Sequence, residues 1–393
     1  MPKVASENGW TRVALGDVVR QVRDRVDPED TDLERYVAGE HMDTDDLRIR
    51  RWGTIGDGYL GPAFQMRFKP GHVLYGSRRT YLRKVAVADF EGITANTTFV
   101  FEPKDPKVLL PALLPFIMQA EFFHEHSIKQ SKGSVNPYVN FSDLTWYEFA
   151  LPPLEEQRRI AGMLTLSLEV YEALRRLQAR ASELLASTIE SISETAIQFG
   201  SLVALEDLVQ ADRPITYGIL KPGIGFPGGV PVIKVKDFPD GRILEDSLLL
   251  TDPKIDEEYR RSRLKEGDLL IAIRGSIGRL AFVPASLAGA NITQDTARLS
   301  LRADNDPAFI RSMLGSRFVQ TQIAEYTTGL AVKGINIGEL RRVVIPMTNK
   351  DQQVELYREV AAIQSVIKGC DQRLYEARAM HVMLLRAAME VRP

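Results

Sequence analysis

The sequence is short of cysteine, of long apolar runs and of net charge, and each shortage removes a class of protein. Cys370 is the single cysteine in 393 residues, so an intrachain disulfide and a cysteine-rich zinc site are both excluded. No run approaches eighteen consecutive apolar residues, the signature of a membrane-spanning helix. The opening MPKVASENGW lacks the apolar stretch of a secretory signal, and together these features read as a cytoplasmic protein. A Gly-x-x-x-x-Gly-Lys-Ser/Thr phosphate loop is missing, which argues against an ATPase, and so is a Gly-x-Ser-x-Gly nucleophile elbow. The formal net charge of −2 gives no global sign of nucleic-acid binding, so the distribution of charge matters more than its sum.

That distribution is uneven. Between Phe64 and Ala88 stand Arg67, Lys69, Arg78, Arg79, Arg83 and Lys84 without one Asp or Glu. Such a run is commonly a solvated face, but a neutral protein with locally basic segments can also bind phosphate. With 44% hydrophobic and 26% charged residues, a chain of this length is soluble and builds two or three cores.

The strongest internal signal is a duplication. A shift of 196 places aligns Lys69 with Lys265, Gly71 with Gly267, Leu74 with Leu270, Arg78 with Arg274 and Arg83 with Arg279. The same shift aligns Val87 with Val283, Phe122 with Phe318, Gly133 with Gly329, Asn140 with Asn336 and Leu144 with Leu340. Upstream the offset drifts, and VALGDVV (13–19) meets VALEDLV (203–209). Each unit carries Lys-x-Gly before an apolar run, HVLYG at 72–76 and DLLIAI at 268–273, which reads as a buried strand. Further strands are expected at 85–88, 97–101, 280–283 and 297–301. A helix entered through Asp-Pro at 105–106 or 306–307 follows, since proline fits the first helical turn.

After each unit the pattern becomes that of a long helix. Met163, Val170, Leu177 and Leu184 recur every seven residues with Leu174 and Ala181 between them, and Leu164, Tyr171, Leu185 and Ile192 form a second phase. In the second unit Leu356, Val360, Ile363, Ile367, Cys370, Leu374, Ala377, His381, Leu384 and Ala388 alternate spacings of four and three, the seam of a coiled coil. Cys370 and His381 lie in that seam, which assigns them to packing. Two such helices pack most simply antiparallel, and the apolar stripe of the first is wide enough to face another subunit as well.

LPPLEEQRRIAGML (151–164), opening a long helix after a globular unit, resembles the central conserved region of type I restriction–modification specificity (S) subunits. IPMTNKDQQVELYREV (345–360) resembles a second copy in which Thr348, Asn349 and Lys350 intrude and the second proline is missing. ITYGILKPG (215–223) with GVPVIKVKDF (229–238) resembles a target-recognition domain of the same family. The resemblance implies an α+β chain with two mixed α/β target-recognition domains, separated and joined by two long antiparallel coiled-coil helices. Its parts would be recognition domain 1–152, central helix 153–199, recognition domain 200–346 and C-terminal helix 347–393. It implies a bipartite DNA target, two docked DNA-methyltransferase subunits and associated restriction subunits. It places S-adenosylmethionine binding and adenine methylation in the partner, with no cofactor and no catalysis in this chain.

Candidate DNA contacts follow from chemistry: arginine forks to guanine, Asn and Gln match adenine, and Lys, Ser and backbone N–H groups hold phosphates. The loops after the Lys-x-Gly strands supply Arg78, Arg79, Tyr81, Arg83, Lys84 and Arg274, Ser276, Arg279. The later glycine-containing loops supply Lys132, Ser134, Asn136, Tyr138 and Lys333, Asn336. Tyr217, Lys221, Lys234 and Lys236 complete the set in the second unit. Each of these is equally explicable as a surface group.

Three motifs point elsewhere. Pro239-Asp240 with Asp252-Pro253-Lys254 fits a loose metal-nuclease pattern, but Pro253 would interrupt the core strand that such a site needs. Asn136-Pro137-Tyr138 lacks one proline of the amino-methyltransferase element and reads as a loop. His124 and His126, two apart on a helix, face different ways and read as helix surface rather than metal ligands. Beside the recognition-subunit reading stand three rivals: a specificity subunit whose partner both methylates and cleaves, a nuclease using Asp240, Asp252 and Lys254, and a protein-binding scaffold.

Overall fold

The computed structural model describes residues 9–239, 241–329 and 333–389. The chain divides into two compact units, residues 1–175 with 372–393, and residues 176–371. Each therefore combines one mixed α/β domain with a segment of each long helix.

The first domain contains ten strands: β1 (Thr11–Ala14), β2 (Val19–Gln21), β3 (Arg35–Val37), β4 (Gly53–Thr54), β5 (Phe64–Phe68), β6 (Val73–Gly76), β7 (Val85–Val87), β8 (Gly92–Ala95), β9 (Thr98–Pro103) and β10 (Glu148–Leu151). They form sheets of order β2-β9-β6-β7 and β4-β3-β8-β5, and β1 pairs β10. The second domain contains β11 (Ser201–Ala204), β12 (Thr216–Tyr217), β13 (Val230–Ile233), β14 (Leu249–Thr251), β15 (Leu269–Ala272), β16 (Leu280–Phe282), β17 (Asn291–Ile292), β18 (Thr296–Leu299) and β19 (Val344–Met347). Their orders, β12-β18-β15-β16, β14-β13-β17 and β11-β19, repeat the first pattern without a counterpart of β5. Both domains share one parallel pairing within the smaller sheet, β3 with β8 and β13 with β17. The duplication seen in the sequence is thus a duplication of topology.

The Lys-x-Gly strands are the centre of each domain. In β6, Val73 and Tyr75 enter one cluster with Phe116, Ile117 and Phe123, while Leu74 enters another with Val37, Phe68 and Val100. In β15, Leu269 and Ile271 face Phe309, Ile310 and Met313, while Leu270 and Ala272 face Ile233, Phe238 and Ile292. Side chains of a strand alternate between faces. Because both faces are covered, by helices on one side and by the smaller sheet on the other, the sequence runs apolar instead of alternating.

Asp306 caps its helix (Pro307–Leu314), its carboxylate accepting the Phe309 amide at 2.7 Å, with Pro307 in the first turn. The Asp-Pro at 105–106 behaves differently. Asp105 organises only a turn, accepting from Lys107 at 2.8 Å, and the helix begins later, at Leu114–Gln119. Pro111 explains the delay, since it removes an amide donor and biases Leu110 out of helical geometry, whereas Pro115 stands in the first turn of the helix that then forms.

His124 is also displaced from its expected place. It lies on the helix Glu121–Lys129 but is 0% exposed, packed edge-on to Phe123, and neither ring nitrogen has a hydrogen-bond partner. Burial, with Arg83 nearby, pushes its pKa down to about 3, so it is a neutral core residue. His126 is half-buried and meets the Asp143 carbonyl at 2.9 Å.

The central helix spans Leu154–Phe199 and the C-terminal helix Lys350–Met389. In the first unit Ser167 meets His381 at 2.6 Å, and in the second Gln178 bonds to Asp371, so each unit holds a segment of one long helix against a segment of the other. In the C-terminal seam Val360, Cys370, His381 and Ala388 are buried and the remaining positions are half-buried. The central helix uses the other of its two phases. Leu164 and Ile192 are buried, whereas Val170, Leu177 and Leu184 are about half exposed, at 49%, 47% and 54%. A stripe every seven residues cannot show which neighbouring stripe the partner helix will cover.

Both helix starts are fastened by the same residue. Gln157 accepts the Leu110 amide at 2.7 Å and donates to the carbonyls of Val108 and Pro152 at 2.9 and 2.8 Å. Gln353, 196 places on, accepts the Asp306 amide at 2.9 Å and donates to the Thr348 carbonyl at 2.6 Å. Both side chains are buried. The helix starts are therefore equivalent, and at the 196-residue shift Thr348, Asn349 and Lys350 stand where the first copy has Pro152, Pro153 and Leu154.

Two outcomes follow. Gln157→Ala, and independently Gln353→Ala, leaves buried backbone groups unpaired and lowers unfolding stability by roughly 2–4 kcal/mol, read by denaturant titration. For His124 the folded pKa lies below the unfolded value, so the unfolded chain takes up the proton first. Stability is full above about pH 6.5 and falls towards pH 3, with a slope approaching 1.4 kcal/mol per pH unit. The apolar variant His124→Phe should flatten this part of the pH–stability curve; an unchanged acid slope would show that His124 is protonated in the folded protein.

Candidate nucleic-acid interface

The end of each central strand delivers a loop to the surface, and a second loop bridges to it. In the first domain, Ser77 follows β6 with its amide on the Thr97 carbonyl at 2.9 Å, and its own carbonyl accepts the Val139 amide at 3.0 Å. Arg78 and Tyr138 form an antiparallel bridge, as do Lys132 and Tyr138. The Arg79 amide donates to the Pro137 carbonyl at 2.6 Å, and its Nε to Asn136 Oδ1 at 3.3 Å. Loops about fifty residues apart in sequence become one surface carrying Arg78, Arg79, Tyr81, Lys132, Ser134 and Asn136, all exposed, with Tyr138 half-buried beneath.

The second domain builds the same junction at the shifted positions. Arg274 bridges Gly334, Thr328 bridges Gly334, and the Ile335 amide donates to the Ile273 carbonyl at 3.0 Å. Gly133 and Gly329 occupy matching left-handed positions, with φ of 90° and 114°. There a side chain would be strained, so the pairing of these glycines in the sequence has a backbone cause. Arg274 and Ser276 are exposed, and so is Lys333.

One matched pair differs tellingly. Arg79 takes φ of 50°, and its counterpart Gly275 takes 72°. An L-residue in that region costs on the order of 1 kcal/mol, which glycine avoids. The first domain keeps arginine where the second shows the unstrained solution.

The remaining candidates separate by what already holds them. Arg83, itself at φ of 51°, pairs with Asp45 at 2.8 Å and Glu121 at 2.6 Å, which raises its already high pKa against the opposing cost of burial. Lys84 donates to the Gly39 carbonyl and Lys132 pairs with Asp143 at 2.9 Å. Arg279 points a donor at the Val235 carbonyl, 3.3 Å away. Asn336 caps the helix Ile337–Arg342 through the Glu339 amide at 2.9 Å. These side chains shape the loops that carry the others.

Tyr217 and Lys221 are exposed at and beyond β12. Their segment is tied to the Arg274 junction: the Gln294 amide bonds the Ile219 carbonyl at 3.0 Å, and the next residue, Asp295, accepts the Ile273 and Arg274 amides at 2.8 and 3.3 Å. Lys234 and Lys236 line an open groove of about 540 Å³ with Phe226 and Leu248–Leu250. The sequence reading missed Ile224 and Phe226, exposed apolar residues in the glycine-rich loop ahead of β13, and Tyr59, exposed in IGDGYLG. Aromatics among glycines were the available signal.

The rival motifs do not assemble. Asp252 is the cap of the helix Pro253–Glu258, accepting the Lys254 amide at 2.8 Å, so the motif sits on a helix start rather than a core strand. Asp240 lies outside the described residues. Among the described residues no group of three or more His, Cys, Asp or Glu side chains could hold a metal ion. Nor, among them, is any helix long and apolar enough to cross a membrane.

Known proteins resemble this chain in sequence and fold. The type I restriction modification DNA specificity domain family matches residues 7–170. The type I restriction enzyme EcoBI specificity subunit of Escherichia coli is 27% identical over 256 residues, 58% of this chain and 54% of that protein. The match thus spans about half the length of that curated relative. Among solved structures, a chain from work on complex assembly and conformational transition of the type I R-M system aligns at TM-score 0.62 and 20% identity, covering 98% of this chain and 99% of that one. The type I restriction–modification S subunit from M. genitalium aligns at TM-score 0.61 and 15% identity over 100% and 99% of the two chains, a likeness of fold. Residues 7–170 thus match the type I restriction modification DNA specificity domain family, and the chain as a whole is similar in sequence and fold to type I specificity subunits.

Proposed function

We propose that this chain is the non-catalytic DNA-reading subunit of a type I restriction–modification complex, recognising a bipartite target. One observation carries the reading: two domains of the same topology present the same bridged loop junction, with Arg78 and Arg274 at its matching points. The two junctions differ in most of their side chains, so the two half-sites differ in sequence. Arginine, lysine and amide groups projecting from paired loops supply both the phosphate contacts that set register and the base contacts that specify.

Docking of two methyltransferase subunits is assigned to the helices. Leu166 and Val170 in the first unit and Leu177 and Leu184 in the second are exposed, as are Val366, Met380, Val382 and Met383 on the C-terminal helix. Exposed apolar residues at this density on helices are suited to covering by another protein. The partner supplies S-adenosylmethionine and the methylation chemistry; this chain supplies the address. Restriction subunits complete the complex.

The test is co-expression with the methyltransferase encoded beside it and mapping of methylated adenines across the host DNA. The expected result is one bipartite motif. Replacing Arg78 and Arg79 with alanine removes specificity for one half, and Arg274→Ala affects the other half. Binding by the complex should fall roughly a thousand-fold between 50 and 200 mM salt if six or more phosphates are neutralised. A stable complex that methylates at random would refute the reading and favour a scaffold role.

A further inference from the structure

We infer that Arg78 reads a guanine in the half-site of the first domain, held in reading position by the ring of Tyr138; the inference rests on the DNA-recognition reading above. The isolated antiparallel bridge between Arg78 and Tyr138 sets their side chains beside each other, with the Arg78 Cζ over the Tyr138 ring at 4.8 Å from its centroid. Side chains directly opposite in an antiparallel pair are neighbours on the same face. A guanidinium stacked on an aromatic face keeps its in-plane N–H groups free, and that planar fork matches guanine N7 and O6. Stacking also restricts the long side chain before DNA arrives, which lowers the ordering cost of binding.

The neighbouring cations are committed elsewhere, which singles out Arg78. Arg83 holds two carboxylates, Lys132 holds Asp143, and Arg79 gives its Nε to Asn136. No carboxylate pairs with Arg78 among the described residues. Its counterpart Arg274 lacks the platform, because Gly334 replaces tyrosine, and it stands 3.7 Å from Asp295. The two half-sites are therefore read by different means at this matched point. Tyr138 is a positioning residue: it touches Arg78, not the base.

The experiment uses the whole complex with its methyltransferase and compares adenine-methylation maps. The wild-type map tests the underlying reading, since absence of any bipartite motif defeats that reading independently of Arg78. Given a motif, Arg78→Ala and Arg78→Lys should each relax one guanine position in one half-site, by on the order of 10–100-fold in discrimination, with the other half unchanged. Tyr138→Phe should retain that guanine and Tyr138→Ala should weaken it, an effect confined to one base that general loop damage would not give. A map in which Arg78→Ala lowers methylation uniformly and keeps the motif intact would make Arg78 a phosphate contact and overturn the assignment. So would a wild-type half-site without guanine.

Discussion

The central strands β6 and β15 must be covered on both faces, and most of the architecture answers to that requirement. Val73 and Tyr75 need a helical layer on one side, and Leu74 needs a second sheet on the other. The second domain meets the same need with Leu269, Ile271 and Leu270. Once both faces are closed, the chain leaving such a strand emerges only at the end of the sheet. The loop there is short, anchored and surrounded by returning segments, which makes it a rigid place to display side chains.

Fastening of the domains to the helices is equally economical. A buried glutamine at each helix start satisfies an amide and at least one carbonyl of the preceding turns, so the domain cannot rotate freely about the end of its helix. Loops that read a base sequence need such fixed mounting, because a contact misplaced by an ångström loses its hydrogen-bond geometry. The side chains that hold the loops in shape, Arg83, Lys84 and Asn336, are of the same chemical types as those left exposed on the same loops. Composition alone does not separate the two groups.

Particular residues show where sequence reasoning succeeded. The 196-residue shift was legible because paired residues such as Gly133 and Gly329, or Asn140 and Asn336, answer to the same backbone demands twice. The C-terminal seam was legible because strict alternation of four and three admits one buried face. In the central helix two apolar stripes lay side by side, and the choice between them belongs to the partner helix. His124 was misplaced because a histidine on a short helix carries no mark of burial; only the packing of Phe123 and its neighbours reveals it. The delayed helix after Asp105 reflects Pro111, whose local effect outweighed the start signal.

What the sequence by itself determined is the plan: two copies of one mixed α/β unit, each followed by a long helix whose first turns contain a glutamine. Periodicity, glycine placement and repetition are local properties, and local sterics translate them directly into strands, turns and helices. What only the tertiary structure decided is which residues meet. Arg78 and Tyr138 are sixty positions apart, and nothing along the chain pairs them. Their contact depends on where β6 ends and how Ser77 and Val139 hydrogen-bond, a geometry fixed by packing across the whole domain and not by either segment alone.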